Sequence, residues 1–307
     1  MRVSSRAYFL DLQANLSRAT QNLRRLSKQL SSGKRLTRPS DDPLAVGEII
    51  KARADLMKVV GRQAVLQRGM RLTGVADVAL DDMCSALRRA QDLVLSATQP
   101  GLTEAARNAI AEEIRSIRAR IVDQANASVQ GDFVFAGRNA RERPFSELGG
   151  VISYNGTSEG IELWVAPQRP MEVTVPGDRL FNFEDVGGDR AVPDVDADLF
   201  ALLEELATHI EDGDDAQIEA RTPDLHRLYQ HVVQQRGVLG ARTVRLQQAH
   251  SAAQDAELHA EEILADVEAV DIVEAFVEMG SLEVSYQAAL AATAKMAQMP
   301  TLFELTW

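Results

Sequence analysis

The chain has 307 residues, a formal net charge of −12 and a single cysteine, Cys84. That length accommodates two domains and a substantial core. The acidic balance argues against duplex binding, which runs on Lys and Arg neutralising phosphates, and one thiol excludes internal disulfides and Cys-rich metal sites.

In chain order, the first segment carries the cleanest periodicity. Phe9, Leu12, Leu16, Ala19, Leu23, Leu26 and Leu30 alternate spacings of three and four, the seam of a coiled-coil helix. Arg18, Arg24, Arg25, Lys28, Lys34, Arg35 and Arg38 decorate residues 12–38, which hold no acid. A helix of this length is only marginally stable alone, so its stripe needs a partner. Gly33 fits a C-cap. Arg38-Pro39-Ser40-Asp41-Asp42-Pro43 restarts the chain, with Asp42 as an N-cap and Pro43 at the first helical position, where its missing N–H costs nothing. A long helix is predicted from there to Pro100-Gly101. Thr103 caps the next helix, with the stripe Ile110, Ile114, Ile117 and Ile121.

From Gly131 the pattern becomes short and strand-like: Phe133-Val134-Phe135, Val151-Ile152-Ser153-Tyr154, Ile161-Glu162-Leu163-Trp164-Val165 and Met171-Glu172-Val173-Thr174-Val175. Asn155-Gly156 reads as a hairpin turn, and Gly149-Gly150 and Gly187-Gly188 as loop glycines. Helical signal returns at Leu199, and Thr222-Pro223 is read as the cap of a further long helix.

The last segment is acidic. Residues 251–294 hold ten Asp and Glu and no Lys or Arg. Ile263, Val267, Val270, Val277 and Val284 form one seam, and Ile272, Phe276, Met279, Tyr286 and Leu290 a second; two apolar faces on one helix imply two neighbours. Strands do not alternate with helices, so the expected fold is mainly α. The expected form is an elongated helical bundle with paired terminal helical arms and a small β-rich inserted domain. The arms span 1–40 and 265–307, the bundle domain 41–130 and 198–264, and the insert 131–197.

Chemistry is sparse. His209, His226, His231, His250 and His259 lack the H-E-x-x-H spacing that brings two ligands to one helix face. Asp194-Val195-Asp196-Ala197-Asp198 imitates the start of a calcium loop, but Leu199 stands where the sharp turn needs glycine; an acidic linker ending in a helix N-cap explains it better. No triad, paired carboxylates or phosphate-cradling glycine loop is visible, so the reading expects no catalysis, no metal and no cofactor. No apolar run reaches the ~20 residues of a membrane helix. Residues 7–10 are too few for a secretory apolar core of about 7–15 residues. No membrane insertion and no nucleic acid are expected.

Gln29-Leu30-Ser31-Ser32-Gly33-Lys34-Arg35-Leu36 followed by Pro39-Ser40-Asp41-Asp42-Pro43 resembles the N-terminal signature of the flagellin superfamily. The Pro-Ser-Asp-Asp-Pro form looks like members at the hook–filament junction, whereas flagellins more often carry an Ala-Lys-Asp-Asp-Ala type. Gly131-Asp132-Phe133-Val134-Phe135-Ala136-Gly137, Arg236-Gly237-Val238-Leu239-Gly240-Ala241-Arg242 and the tail Met299-Pro300-Thr301-Leu302-Phe303-Glu304-Leu305 are similar to that superfamily as well. The resemblance implies a structural protein exported to the bacterial flagellum without a cleaved signal. Its implied partners are a hook-associated protein of the ring below, flagellin above, further copies of itself and an export chaperone. A short flagellin that builds the filament is the alternative; a secreted coiled-coil adhesin or adaptor is a more distant one. The expected assembly interface joins Phe9, Leu12, Leu16, Leu23, Leu26 and Leu30 to Val267, Val270, Val277 and Val284, and to neighbouring copies. Arg24, Arg25 and Lys28 set register against the acidic face, and Gly33, Pro39, Asp41, Asp42 and Pro43 form the turn and cap between arm and bundle.

Overall fold

The computed structural model describes residues 2–36, 42–166, 169–184, 189–192 and 195–297. Pro39, Asp41 and the 299–305 tail lie outside them. The elements in order are α1 (Arg2–Ser32), α2 (Pro43–Ala97), α3 (Glu104–Ala125), β1 (Ser128–Val129), β2 (Asp132–Phe133), β3 (Phe145–Leu148), β4 (Val151–Tyr154), β5 (Glu162–Ala166), β6 (Arg169–Glu172), α4 (Gly177–Phe181), α5 (Leu199–Asp212), α6 (Asp215–Glu268) and α7 (Ile272–Ala297). The mainly helical reading holds. The chain divides into two compact units, one from Met1–Lys58 with Ala256–Trp307, the other Val59–Asp255.

Caps start the helices where the sequence placed most of them. Asp42 Oδ1 accepts from the backbone N–H groups of Leu44 and Ala45, both at 3.1 Å, and Pro43 opens α2. The Thr103 hydroxyl accepts from Ala106 N–H, and Asp198 Oδ1 accepts from Phe200 and Ala201 at 2.9 Å each, so the acidic linker does end in an N-cap. Each satisfies donors that the first helical turn leaves orphaned. The cap expected at Thr222-Pro223 is not one. α6 starts at Asp215 and runs through Pro223, and the Thr222 hydroxyl donates back to the Ile218 carbonyl instead. A proline about two turns inside the helix, rather than at its first position, costs a hydrogen bond, which this long helix absorbs.

The second unit is built around one core. The stripe Ile114, Ile117 and Ile121 of α3 packs on Leu199, Leu202, Leu203, Leu206 and Ile210 of α5. An aromatic cluster of Phe135, Phe145, Tyr154, Phe181, Phe183 and Phe200 joins them to the β region, with the Phe145 and Phe181 rings edge to face at 5.1 Å. Burial pushes the Tyr154 phenol above its usual range, and its hydroxyl donates to backbone carbonyls while accepting from Gly177 N–H.

The strands form three separate antiparallel hairpins, β1–β2, β3–β4 and β5–β6. The turn of β3–β4 is Gly149-Gly150, both at positive φ (60° and 85°), between the paired residues Leu148 and Val151. Asn155-Gly156, read as the turn, follows the hairpin. Both dipeptides suit a two-residue turn needing two positive φ values, and the choice falls to the register that turns Phe145 and Tyr154 inward together. The strands expected at 133–135 and 171–175 are shorter, because Val134, Phe135, Val173 and Val175 leave the ladder for the core.

Arginines clamp this unit. Arg118 is buried and donates to the Phe200 carbonyl, the Glu147 carboxylate and the Gly150 carbonyl, joining α3, α5 and the hairpin. Arg242 donates to the Thr174 carbonyl and to Glu172, both at 2.7 Å, and Arg236 pairs with Asp77 and Asp81 of α2. Charge-assisted bonds of this kind fix the spacing between elements as well as adding energy.

Candidate assembly surface

The first unit holds the two arms. α1 packs on α7, and the helices meet where Gly33 ends one and Asp271 starts the other, so they run antiparallel. Gly33, at φ +69°, lets the chain turn out of α1. Lys34 and Ala269 form an antiparallel bridge, with Arg35 N–H donating to the Glu268 carbonyl at 2.8 Å and Val270 N–H to the Gly33 carbonyl at 3.1 Å. Asp271 Oδ1 then accepts from Val273 and Glu274 and caps α7. The acidic segment, read from sequence as one arm, is two helices with an elbow at 269–271.

The seam on α1 is the one read from sequence. Leu26 is 2% exposed, with Leu16, Ala19, Leu23 and Leu30 partly buried beside it. The side chains of Phe9 and Leu12 lie outside the described residues. On α7 the face turned inward is Ala275, Met279, Leu282, Tyr286, Ala289 and Thr293, again spaced alternately four and three. Val267 and Val270 are half-buried near the elbow, but Val277 and Val284 are 70% and 68% exposed. Within one chain they therefore do not meet α1. The second seam of the sequence reading divides too: Met279 and Tyr286 turn inward, while Ile272, Phe276 and Leu290 stay exposed. Val273, Val277, Gly280, Val284, Ala288 and Ala291 make one continuous small apolar stripe on the outside of α7.

Charge is used differently from the expectation. Arg24, Arg25 and Lys28 are exposed, and none makes an ion pair among the described residues. Arg25 shares a cavity of about 490 Å³ at the elbow with Asp266, Glu274 and Glu278, without direct contact. Arg24 and Lys28 lie on the side of α1 away from its seam, where the coil geometry puts residues about half a turn from Leu26. Within the chain, register is set instead by Glu268. Its carboxylate takes Lys34 Nζ at 2.9 Å and the Arg53 guanidinium at 2.5 Å, and its side chain is 14% exposed.

These contacts, Lys34 first and then Arg53, hold the Glu268 carboxyl below its ordinary range against the opposing effect of burial. A carboxylate with a depressed folded pKa contributes stability above its unfolded value and loses it as pH falls through the folded one. The first unit should therefore weaken below about pH 4.5, by the order of 1 kcal/mol. Denaturant melts of the full chain between pH 6 and pH 3 should show that loss. Glu268→Gln should already be weakened at pH 6 and should show a smaller further decline.

Among the described residues no group of three His, Cys, Asp or Glu is placed to hold a metal ion, and no helix is long and apolar enough to cross a membrane. Burial raises the Cys84 thiol above its ordinary value, as for a small core hydrophobe rather than a nucleophile.

The family described as the bacterial flagellin N-terminal helical region matches residues 3–140. Flagellar hook-associated protein 3 of Escherichia coli K12 is 26% identical over 94% of this chain and 96% of its own length. Polar flagellin C of Vibrio parahaemolyticus is 24% identical over 68% of this chain and 59% of its own. Among solved structures, flagellar hook-associated protein 3 of Legionella pneumophila superposes with a TM-score of 0.62 at 14% identity, covering 71% of this chain and 98% of that one. The arm pair and the clamped second unit thus share the fold of solved flagellar hook-associated proteins, and the chain is similar in sequence to flagellar hook-associated protein 3 along nearly all of its length and to the flagellin N-terminal helical region over residues 3–140.

Proposed function

We propose that this chain is a non-enzymatic structural protein of the bacterial flagellum that joins the hook, through a hook-associated ring below, to the flagellin filament above. The observation that carries the reading is the arm pair. One helix face is closed within the chain, while a second apolar stripe and the cations Arg24 and Lys28 of α1, which make no ion pair among the described residues, stay exposed. Likeness to hook-associated protein 3 along nearly the whole chain supports the junction role over the filament role. In this reading residues 1–40 with 265–307 are the assembling arms, 41–130 with 198–264 the helical layer, and 131–197 the surface insert. The protein leaves the cell through the flagellar export apparatus without a cleaved signal and is escorted by a chaperone. Val277 and Val284 face neighbouring copies, and the Leu16 to Leu30 seam holds the arm that presents them.

A short flagellin is the second reading, favoured by the match to polar flagellin C. Growth assays separate the two. A junction protein adds to a hook-associated end and stops, then accepts flagellin; a flagellin elongates into filaments from purified protein alone. The same assay tests the charges. Arg24→Glu with Arg25→Glu should lower the unfolding midpoint of the chain only modestly, since neither residue makes an ion pair among the described residues. The cost is the repulsion of a new carboxylate at position 25 by Asp266, Glu274 and Glu278. Seeded addition should nonetheless slow severalfold at low salt. Equal addition rates for parent and variant would remove electrostatic steering from the reading.

A further inference from the structure

Asn155 is the one asparagine of this chain followed by glycine; the others precede leucine, alanine or phenylalanine. The pair matters chemically. A backbone nitrogen can close on Cγ of the preceding asparagine to make a five-membered ring, and a following residue without Cβ hinders that closure least. Here the glycine is dictated by packing. A Cβ at Gly156 would lie 2.3 Å from the Tyr154 hydroxyl oxygen and 2.7 Å from the Ala136 carbonyl oxygen. The Tyr154 ring belongs to the aromatic cluster, so the core itself imposes the residue that leaves Asn155 open to attack.

The surroundings supply the other parts of the reaction. Asn155 is exposed, so water reaches it. The chain is pinned on both sides: Asn155 N–H donates to the Pro144 carbonyl at 2.7 Å, and Thr157 N–H to the Ala136 carbonyl at 3.1 Å. Between them, Gly156 N–H makes no hydrogen bond among the described residues, which leaves its nitrogen available as a nucleophile. The leaving group is held as well. Asn155 Nδ2 donates to Ser146 Oγ at 2.8 Å, and the Ser146 and Ser153 hydroxyl oxygens are 3.0 Å apart. A hydroxyl that rotates can hand a proton to this nitrogen as it departs. The other asparagines are placed differently. Asn15, Asn22 and Asn108 lie inside helices, Asn126 is bonded to Val122 and Phe145, Asn139 to Glu142, and buried Asn182 to Val195 and Ala197.

We infer that Asn155 is a self-modification site, which the folded chain converts to an aspartyl or isoaspartyl residue. The Gly156 nitrogen gives its proton to solvent and attacks Cγ of Asn155. A new N–Cγ bond forms, the Cγ–Nδ2 bond breaks, and Nδ2 takes up a proton through Ser146 and leaves as ammonia. Water then opens the ring at either carbonyl. One opening restores the normal backbone with a carboxylate side chain; the other routes the backbone through the side-chain carbons. The sum is one water consumed and one ammonia released. The isoaspartyl product lengthens the chain between the two pinned ends, exactly where Tyr154 and Gly156 are in close contact, so the mark should loosen that edge of the β region as the molecule ages. The site needs nothing from the arms and is independent of the junction reading.

Peptide mass analysis of the full chain, held folded at neutral pH in isotopically labelled water and sampled over weeks, tests the inference. The peptide containing Asn155 should gain the mass that replaces an amide by a labelled carboxyl. It should separate into aspartyl and isoaspartyl forms, and convert at least tenfold faster than the peptide of any other asparagine. Asn155→Gln, which would have to close a six-membered ring, should lose the signal. Ser146→Ala should convert severalfold more slowly than the parent when folded and at the parent's rate in urea. A folded chain that keeps Asn155 intact while the same chain converts in urea would show the fold shielding the pair, and overturns the inference. Equal folded rates for parent and Ser146→Ala overturn the part given to the serine. Should Ser146→Ala melt early, the label in the folded parent decides alone: its entry at Asn155 supports the site and its absence overturns it.

Discussion

Replacing Leu26 by alanine should unzip the arms from each other while the second unit stays folded. Leu26 is the most buried side chain of the α1 seam, at 2% exposure, and it faces the inward stripe of α7 that begins at Ala275. Truncating a buried leucine costs about 2–5 kcal/mol, part of it from the cavity left behind. The arm pair closes over few layers and has little stability to spare. Hydrogen exchange of the intact variant is the measurement. Amides of 16–30 and 275–293 should lose protection by two or more orders of magnitude, and those of α3 and α5 should keep theirs, since Ile114, Ile121, Leu203 and Leu206 belong to the other compact unit. Unchanged protection in α1 would mean that the arm is held by contacts other than this seam.

The opposite outcome is expected from the outer face. Val277→Glu together with Val284→Glu should change the stability of the chain by no more than about 0.5 kcal/mol, because both side chains are already in water. Assembly should fail. A carboxylate pressed unpaired into an apolar contact costs several kcal/mol, and each 1.4 kcal/mol is tenfold in affinity, so seeded addition should fall by about a hundredfold or more. An additional Arg24→Glu substitution should not rescue it. If the double variant adds to hook-associated ends as the parent does, the outer stripe of α7 is not the assembly surface and the first unit must present another.

The α1 seam was legible because its apolar residues occupy one face and every other face is polar or basic. α7 was not, for a physical reason: Val277 and Val284 keep a heptad spacing as good as that of Met279 and Tyr286. Periodicity states that two stripes exist, and only the elbow decides which one turns inward. The elbow itself carries a weak sequence signal. Asp271-Ile272-Val273-Glu274 has the cap-and-acid spacing that opens helices, but no glycine or proline interrupts the helical pattern before it. Thr222-Pro223 was the converse, a strong helix-start signal inside a helix that had already begun at Asp215. Arg118 was invisible, since an arginine among Ile114, Ile117 and Ile121 looks like an exposed position until the hairpin and α5 supply carbonyls for it. The inserted hairpins were recognisable by composition, but their turns were not, because Gly149-Gly150 and Asn155-Gly156 compete on equal terms and the aromatic core selects between them.

The bridge between Lys34 and Ala269 has a consequence in time. It joins residues roughly 235 positions apart, and the loop it closes contains the whole second unit. Contacts of such long sequence separation form late, after local structure has already condensed. A chain threaded out from its first residue would complete the second unit before Ala269 and Val270 arrive to pin Gly33 and Lys34. Until then Leu23 and Leu26 have no face to close on. Bridge formation thus requires that the chain has emerged past Ala269 and Val270. A copy cut short before residue 269 would carry an open seam and be distinguishable, by stickiness alone, from one ready to take its place.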